Sequence, residues 1–99
     1  MVLLDRSVSF KVRVQRGRRV QIPRVVRWRF RLEPGEVFFV TVWFGFRSED
    51  FYAAMTRDGR IRIPKVIERE LLKGGGVGSL EGCTVQVTLN PAKTGREDS

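Results

Sequence analysis

Histidine is absent from this sequence, and cysteine occurs once, at Cys83. Without an imidazole there is no Ser-His or Cys-His nucleophile pair, no two-His zinc motif, and no side chain that ordinarily titrates near neutral pH. A lone cysteine forms neither an intrachain disulfide nor a thiolate cluster, which excludes disulfide scaffolds and zinc fingers. Long apolar runs are lacking too. Val2-Leu3-Leu4 is cut short by Asp5 and Arg6, well below the roughly 7–15 residues of a secretory core. The longest apolar stretch, Val37–Phe46, is interrupted by Thr41 and Gly45, and reaches about half of a ~20-residue membrane helix. No membrane contact is expected, and a cytoplasmic, reducing location is. Acid is scarce: 11 Asp/Glu stand against 19 Lys/Arg, leaving a net charge of +8.

What remains is a chain of 99 residues, 41% hydrophobic, with ten aromatics. That suffices for one domain with a core and is unlike a disordered basic tail. The expected domain is 1–92, followed by a polar, disordered tail at 93–99. Charge is unevenly placed. Residues 1–50 hold 11 basic and 5 acidic side chains, residues 51–99 hold 8 and 6, and nine Lys/Arg fall between Lys11 and Arg31 with no acid among them. Such a run is either a solvated face or a polyanion-binding surface. The second is favoured, because uncompensated cations repel one another unless something negative sits nearby.

The sequence also repeats itself. Arg16-Gly17-Arg18-Arg19-Val20-Gln21-Ile22-Pro23-Arg24-Val25-Val26 lies over Arg57-Asp58-Gly59-Arg60-Ile61-Arg62-Ile63-Pro64-Lys65-Val66-Ile67 at an offset of 41. Further on, Leu32-Glu33-Pro34-Gly35-Glu36-Val37 corresponds loosely to Leu80-Glu81-Gly82-Cys83-Thr84-Val85, after an insertion around Lys73–Ser79. Repeat one covers about 8–44 and repeat two about 50–90. In each, an alternating strand (Ser9–Gln15 in the first) leads through a turn to a short return strand, Val20/Ile22 or Ile61/Ile63. Asp58-Gly59 is a strong hairpin signal. Pro23 and Pro64 end those strands and suit the first position of a helix. Val26–Leu32 alternates as a strand would, whereas Lys65–Leu72 spaces Ile63, Ile67 and Leu71 at four; the correspondence between copies decides for a helix in both. Third strands follow at Val37–Phe44 and Thr84–Leu89. The first is apolar on both faces, so a helix, the other repeat or a second molecule must cover one of them.

The expected fold is therefore mainly β: two pseudo-symmetric ββαβ repeats whose six strands close a small barrel, with two short helices. Val20-Gln21-Ile22-Pro23-Arg24-Val25-Val26-Arg27 followed by Leu32-Glu33-Pro34-Gly35-Glu36-Val37 resembles the DNA-binding half-domain of AbrB/SpoVT-type transition-state regulators. As a tandem duplication in one chain it is similar to archaeal duplicated cradle-loop barrels of RIFT type. The second copy matches through Arg60–Lys65 but departs at the Gly-rich insertion and lacks the Pro-Gly before its last strand. The resemblance implies a swapped-hairpin or RIFT-type barrel, and a monomeric pseudo-dimer or weak homodimer.

It further implies that basic residues at the hairpin and helix start contact DNA, with RNA as the second candidate. Carried onto this sequence these are Arg13, Arg16, Arg18, Arg19, Arg24 and Arg27 in copy one, and Arg57, Arg60, Arg62 and Lys65 in copy two. Glu68 stands where Arg27 does, so the second copy is the weaker anion binder and two equal half-sites are not expected. Trp28, between Arg27 and Arg29, is the best candidate among the aromatics for stacking on an unpaired base. Lys73–Ser79 fits neither phosphate-loop fingerprint and follows a helix, so it is a helix stop and loop. Cys83 is a packing residue. Glu68 and Glu70 form a solvated helix face. No enzyme, cofactor or metal is expected. The alternative function is a protein-interaction or assembly barrel that does not bind nucleic acid.

Overall fold

Alternation along the chain decides the strands. In β1 (Val8–Arg13) the apolar residues Val8, Phe10 and Val12 are the partly buried ones and the polar residues between them are exposed. The same period orders β3 (Val37–Phe44) and β6 (Thr84–Pro91), where Phe38, Val40, Val42, Val85, Val87 and Leu89 are buried. The computed structural model describes residues 4–92; the expected tail at 93–99 lies outside the described residues. Between these strands run β2 (Arg19–Gln21), α1 (Arg24–Arg29), β4 (Arg47–Ala54), β5 (Arg60–Arg62) and α2 (Lys65–Leu72). The protein is mainly β with two short helices.

The strands form a four-stranded antiparallel sheet in the order β1-β6-β3-β4 and a separate two-stranded ladder, β2-β5. By strand pairing the sheet is open at β1 and β4. One core joins the two pieces: Val20, Ile22, Ile61 and Ile63 from the ladder region meet the inner face of the sheet, and all four are fully buried. The pairing has a two-fold pattern. Exchanging β1 with β4, β2 with β5 and β3 with β6 turns each ladder into another observed ladder. The registers follow: Val8↔Leu89 matches Glu49↔Val42, Arg19↔Arg62 matches Gln21↔Arg60, and Thr41↔Thr88 and Val20↔Ile61 map onto themselves.

Several expectations shift by one residue. Pro23 and Pro64 are the caps just before the helices rather than their first residues; each keeps an extended backbone while its carbonyl accepts two helix N–H groups at 3.0 Å, as a capping carbonyl does. The correspondence of Val37 with Val85 also needs correction. Gly35 N–H donates to Met55 O (2.7 Å) and Gly82 N–H to Val14 O (2.8 Å), and both glycines take φ near +85° (87° and 83°). Gly35 therefore matches Gly82, and Phe38 matches Val85. A one-residue slip reverses every side chain of a strand, and accordingly Val37 is 46% exposed while Phe38 and Val85 are buried.

Candidate nucleic-acid interface

In the β2–β5 ladder, Val20 and Ile61 point into the core. Strand geometry sends their neighbours Arg19, Gln21, Arg60 and Arg62 to the opposite, outer face. Arg19 lies directly across from Arg62, an arrangement in which like charges repel. Arg60 is compensated: it pairs with Asp58 and donates from Nε to Gln15 Oε1 at 2.8 Å. The Thr56 hydroxyl donates to Asp58 at 2.5 Å. That hydrogen bond is the largest influence on the Asp58 carboxyl; desolvation opposes it, and the charge of Arg60, a backbone hydrogen bond and the charge of Arg19 add to it, so the carboxyl is held below its usual range. Arg19, Arg60 and Arg62 line a cleft of about 280 Å³ with Ala54, Thr56 and Asp58.

Two tight turns flank the ladder. Arg18 (φ 60°) and Gly59 (φ 82°) occupy matching positions, and each carbonyl accepts an N–H from the strand of the other half: Ile63 N to Arg18 O at 2.8 Å, Ile22 N to Gly59 O at 2.9 Å. Arg18 uses its Nε to reach Ile63 O (3.0 Å), Arg19 to reach Arg16 O (3.1 Å), and Arg27 to reach Ile22 O (3.0 Å). Arg27 also lies across Gly59, where a Cβ would come within 2.7 Å of its guanidinium. In all three the tether is Nε, and a guanidinium carries four further N–H donors. These arginines are thus part of the scaffold and are held in place by it. A Glu81 carboxylate oxygen accepts the Gly17 N–H of the first turn at 3.0 Å. Arg16 and Arg57 are exposed in the turns, and Arg62 on the ladder.

Arg24 and Lys65 open the two helices, both exposed. Because Ile22 bonds Gly59 and Ile63 bonds Arg18, each helix starts beside the turn of the other half. Nine of the ten expected residues therefore gather on the ladder, its turns and the adjoining helix starts. Arg13 does not. It projects from the outer face of the large sheet opposite Thr84. Gln21 is a member that sequence reading passed over; its Nε2 donates to Asp58 O at 2.9 Å, and the Arg-Val-Gln alternation was the available signal. Among the described residues, only Arg60 of the ten forms an ion pair.

The remaining motifs have local accounts. Lys73–Ser79 is an exposed segment after α2, closed by Glu68, whose Oε2 accepts the Leu80 N–H at 2.9 Å. Cys83 is half-buried beside Ser79 O, at 3.7 Å. Among the described residues no group of three Cys, Asp or Glu is placed to hold a metal ion, and no helix is long and apolar enough to cross a membrane.

Neither a protein-family model nor a curated protein matches the chain. Among solved structures, the solution structure of PHS018 from Pyrococcus horikoshii is similar, with a TM-score of 0.66 over 97% of this chain and all of that one. At 24% identity the likeness is one of fold.

Proposed function

We propose that this chain is a nucleic-acid-binding module, with DNA ahead of RNA, built as an internal duplication of one ββαβ unit related to AbrB-type half-domains. The two-fold pattern of strand registers supports the duplication. Closure into a six-stranded cradle-loop barrel is supported at the two turns, where Gln15 N bonds Arg19 O (2.7 Å) and Thr56 N bonds Arg60 O (2.8 Å). These bonds join the segments just after β1 and β4 to β2 and β5, and in a closed barrel the ladder would be the remaining wall.

One observation carries the function: Arg19 faces Arg62 across one end of the ladder, with Arg16 and Arg18 in one flanking turn and Arg57 in the other. An assembly of cations that repel one another is relieved by a polyanion, and phosphate contacts of this kind position a nucleic acid without reading its sequence. The role is that of a non-enzymatic binder in the cytoplasm.

The test is titration of the protein against duplex DNA, single-stranded DNA and structured RNA at two salt concentrations. If six to ten phosphates are contacted, affinity falls roughly 10³- to 10⁵-fold between 50 and 200 mM salt. Absence of binding to all three overturns the proposal. A second reading, an assembly barrel, is favoured by the outer sheet face, where Val37, Trp43 and Tyr52 are exposed and the Phe39 and Tyr52 rings lie 4.9 Å apart. Its readout is the solution mass: a dimer that binds no polyanion selects it.

A further inference from the structure

α1 is unusual for a helix in a small domain, because none of its six residues is buried. Its largest side chain, Trp28, is 76% exposed. Indole burial is among the larger apolar contributions available to a fold; Val26 alone of the α1 residues packs against the core, so a tryptophan left in water on the opposite side calls for an occupant. Arg24 and Val25, four and three residues earlier, share its side of the helix, and both are exposed. Arg29 follows it, and Arg31, with φ 53°, turns the chain away from the helix. No acidic residue occurs from Lys11 to Arg31, and among the described residues none of these arginines pairs with a carboxylate.

The matching position in α2 behaves differently. There Lys65 and Val66 stand for Arg24 and Val25, but Arg69 replaces the indole and Glu68 and Glu70 flank it. An exposed indole whose charged sequence neighbours are all arginines is a feature of the first half. Its surroundings decide what covers it: an anion whose charges meet Arg24, Arg29 and Arg31 and which itself carries flat apolar rings. Paired bases are hidden within a duplex, whereas unpaired bases offer their faces for stacking.

We propose that Trp28 stacks on an unpaired base of single-stranded nucleic acid whose phosphates run along the arginines of α1 and the β2–β5 ladder. This rests on the nucleic-acid reading given above. α1 adjoins the ladder directly, since Ile22 is bonded to Gly59 and Arg27 lies over it.

The experiment compares the unaltered protein, Trp28→Ala and Trp28→Phe by anisotropy of labelled oligothymidylate, oligouridylate and a DNA duplex of equal length. Trp28→Ala is expected to weaken both single strands roughly 5- to 150-fold, the range of one lost stack, with duplex affinity and the salt slope unchanged. Trp28→Phe, which keeps a ring, should recover most of the loss; the two single-strand arms show whether DNA or RNA is preferred. Equal loss on duplex and single strands, or no loss on either, overturns the stacking role while leaving phosphate binding intact. If the unaltered protein binds none of the three, both proposals fail. Because Trp28 is exposed, far-ultraviolet spectra and urea midpoints should show the same fold in all three proteins.

Discussion

α1 and α2 begin alike: an Ile-Pro pair, a proline carbonyl that accepts two N–H groups, then a basic residue and an exposed valine. They part at the fourth helical residue. Arg27 reaches back to Ile22 O and lies across Gly59, tying its helix to the ladder. Glu68 reaches forward to Leu80 N and fixes the end of the Gly-rich segment that only the second half carries. α2 also buries Leu71 and carries the Glu70–Lys73 ion pair, so it has the contacts of a supporting helix. α1 has no fully buried residue. Two helices with the same opening thus differ in surroundings: α2 is packed and ion-paired, whereas α1 presents a cationic surface, and Arg27 and Glu68 mark where they part.

The comparison can be strained from the core outward. Ile61 and Val20 face each other at the centre of the ladder, both fully buried. Ile61→Ala is expected to cost about 2–5 kcal/mol in urea denaturation, and Val20→Ala less, because fewer methyl groups leave the core. A near-zero cost for Ile61→Ala would mean that the ladder does not share a core with the sheet.

The turns come next. Gly59→Ala places a Cβ at positive φ and against Arg27, and should destabilise by about 1–2 kcal/mol. Arg18→Gly is the mirror change. It relieves a left-handed arginine but forfeits the bond to Ile63 O, so its net effect should be smaller than that of Gly59→Ala in the same assay. Equal costs would remove the argument that Arg18 is held as a strut.

The smallest effect concerns Asp58. Its carboxyl is held low chiefly by the Thr56 hydroxyl, against desolvation and with smaller help from Arg60, a backbone hydrogen bond and Arg19. A depressed folded-state pKa stabilises above the unfolded value and loses that stabilisation as pH falls through the folded one. The unaltered protein should therefore lose slightly more stability than Asp58→Asn on acidification below roughly pH 4. Parallel curves would show that the hydrogen bond to Thr56 has no consequence for the turn.

Local patterns in the sequence were legible. Alternation located β1 and β6, a continuous apolar run after Pro34-Gly35 located β3, and the correspondence between the two Ile-Pro-basic-Val segments located both helices even though Val26–Leu32 alternates like a strand. What lay beyond reach was non-local. That Arg19 meets Arg62 depends on pairing between β2 and β5, which no property of either strand announces. The Val37 correspondence slipped by one because it was drawn from leucine and glutamate, whereas the positive φ of Gly35 and Gly82 sets the register. Nor does sequence distinguish an arginine tethered through Nε, such as Arg18 or Arg27, from an exposed one such as Arg16. Arg13 is separated from the others by strand geometry alone, as it leaves β1 on the outer face.

The central claim is that the arginines opposed across the ladder hold phosphates. Its most direct test is the salt dependence of duplex binding for the unaltered protein beside the double variant Arg19→Gln, Arg62→Gln. Each phosphate contact contributes about 0.9 to the slope of log affinity against log salt. The double variant should bind more weakly with a slope shallower by about 1.8; an unchanged slope would contradict the account.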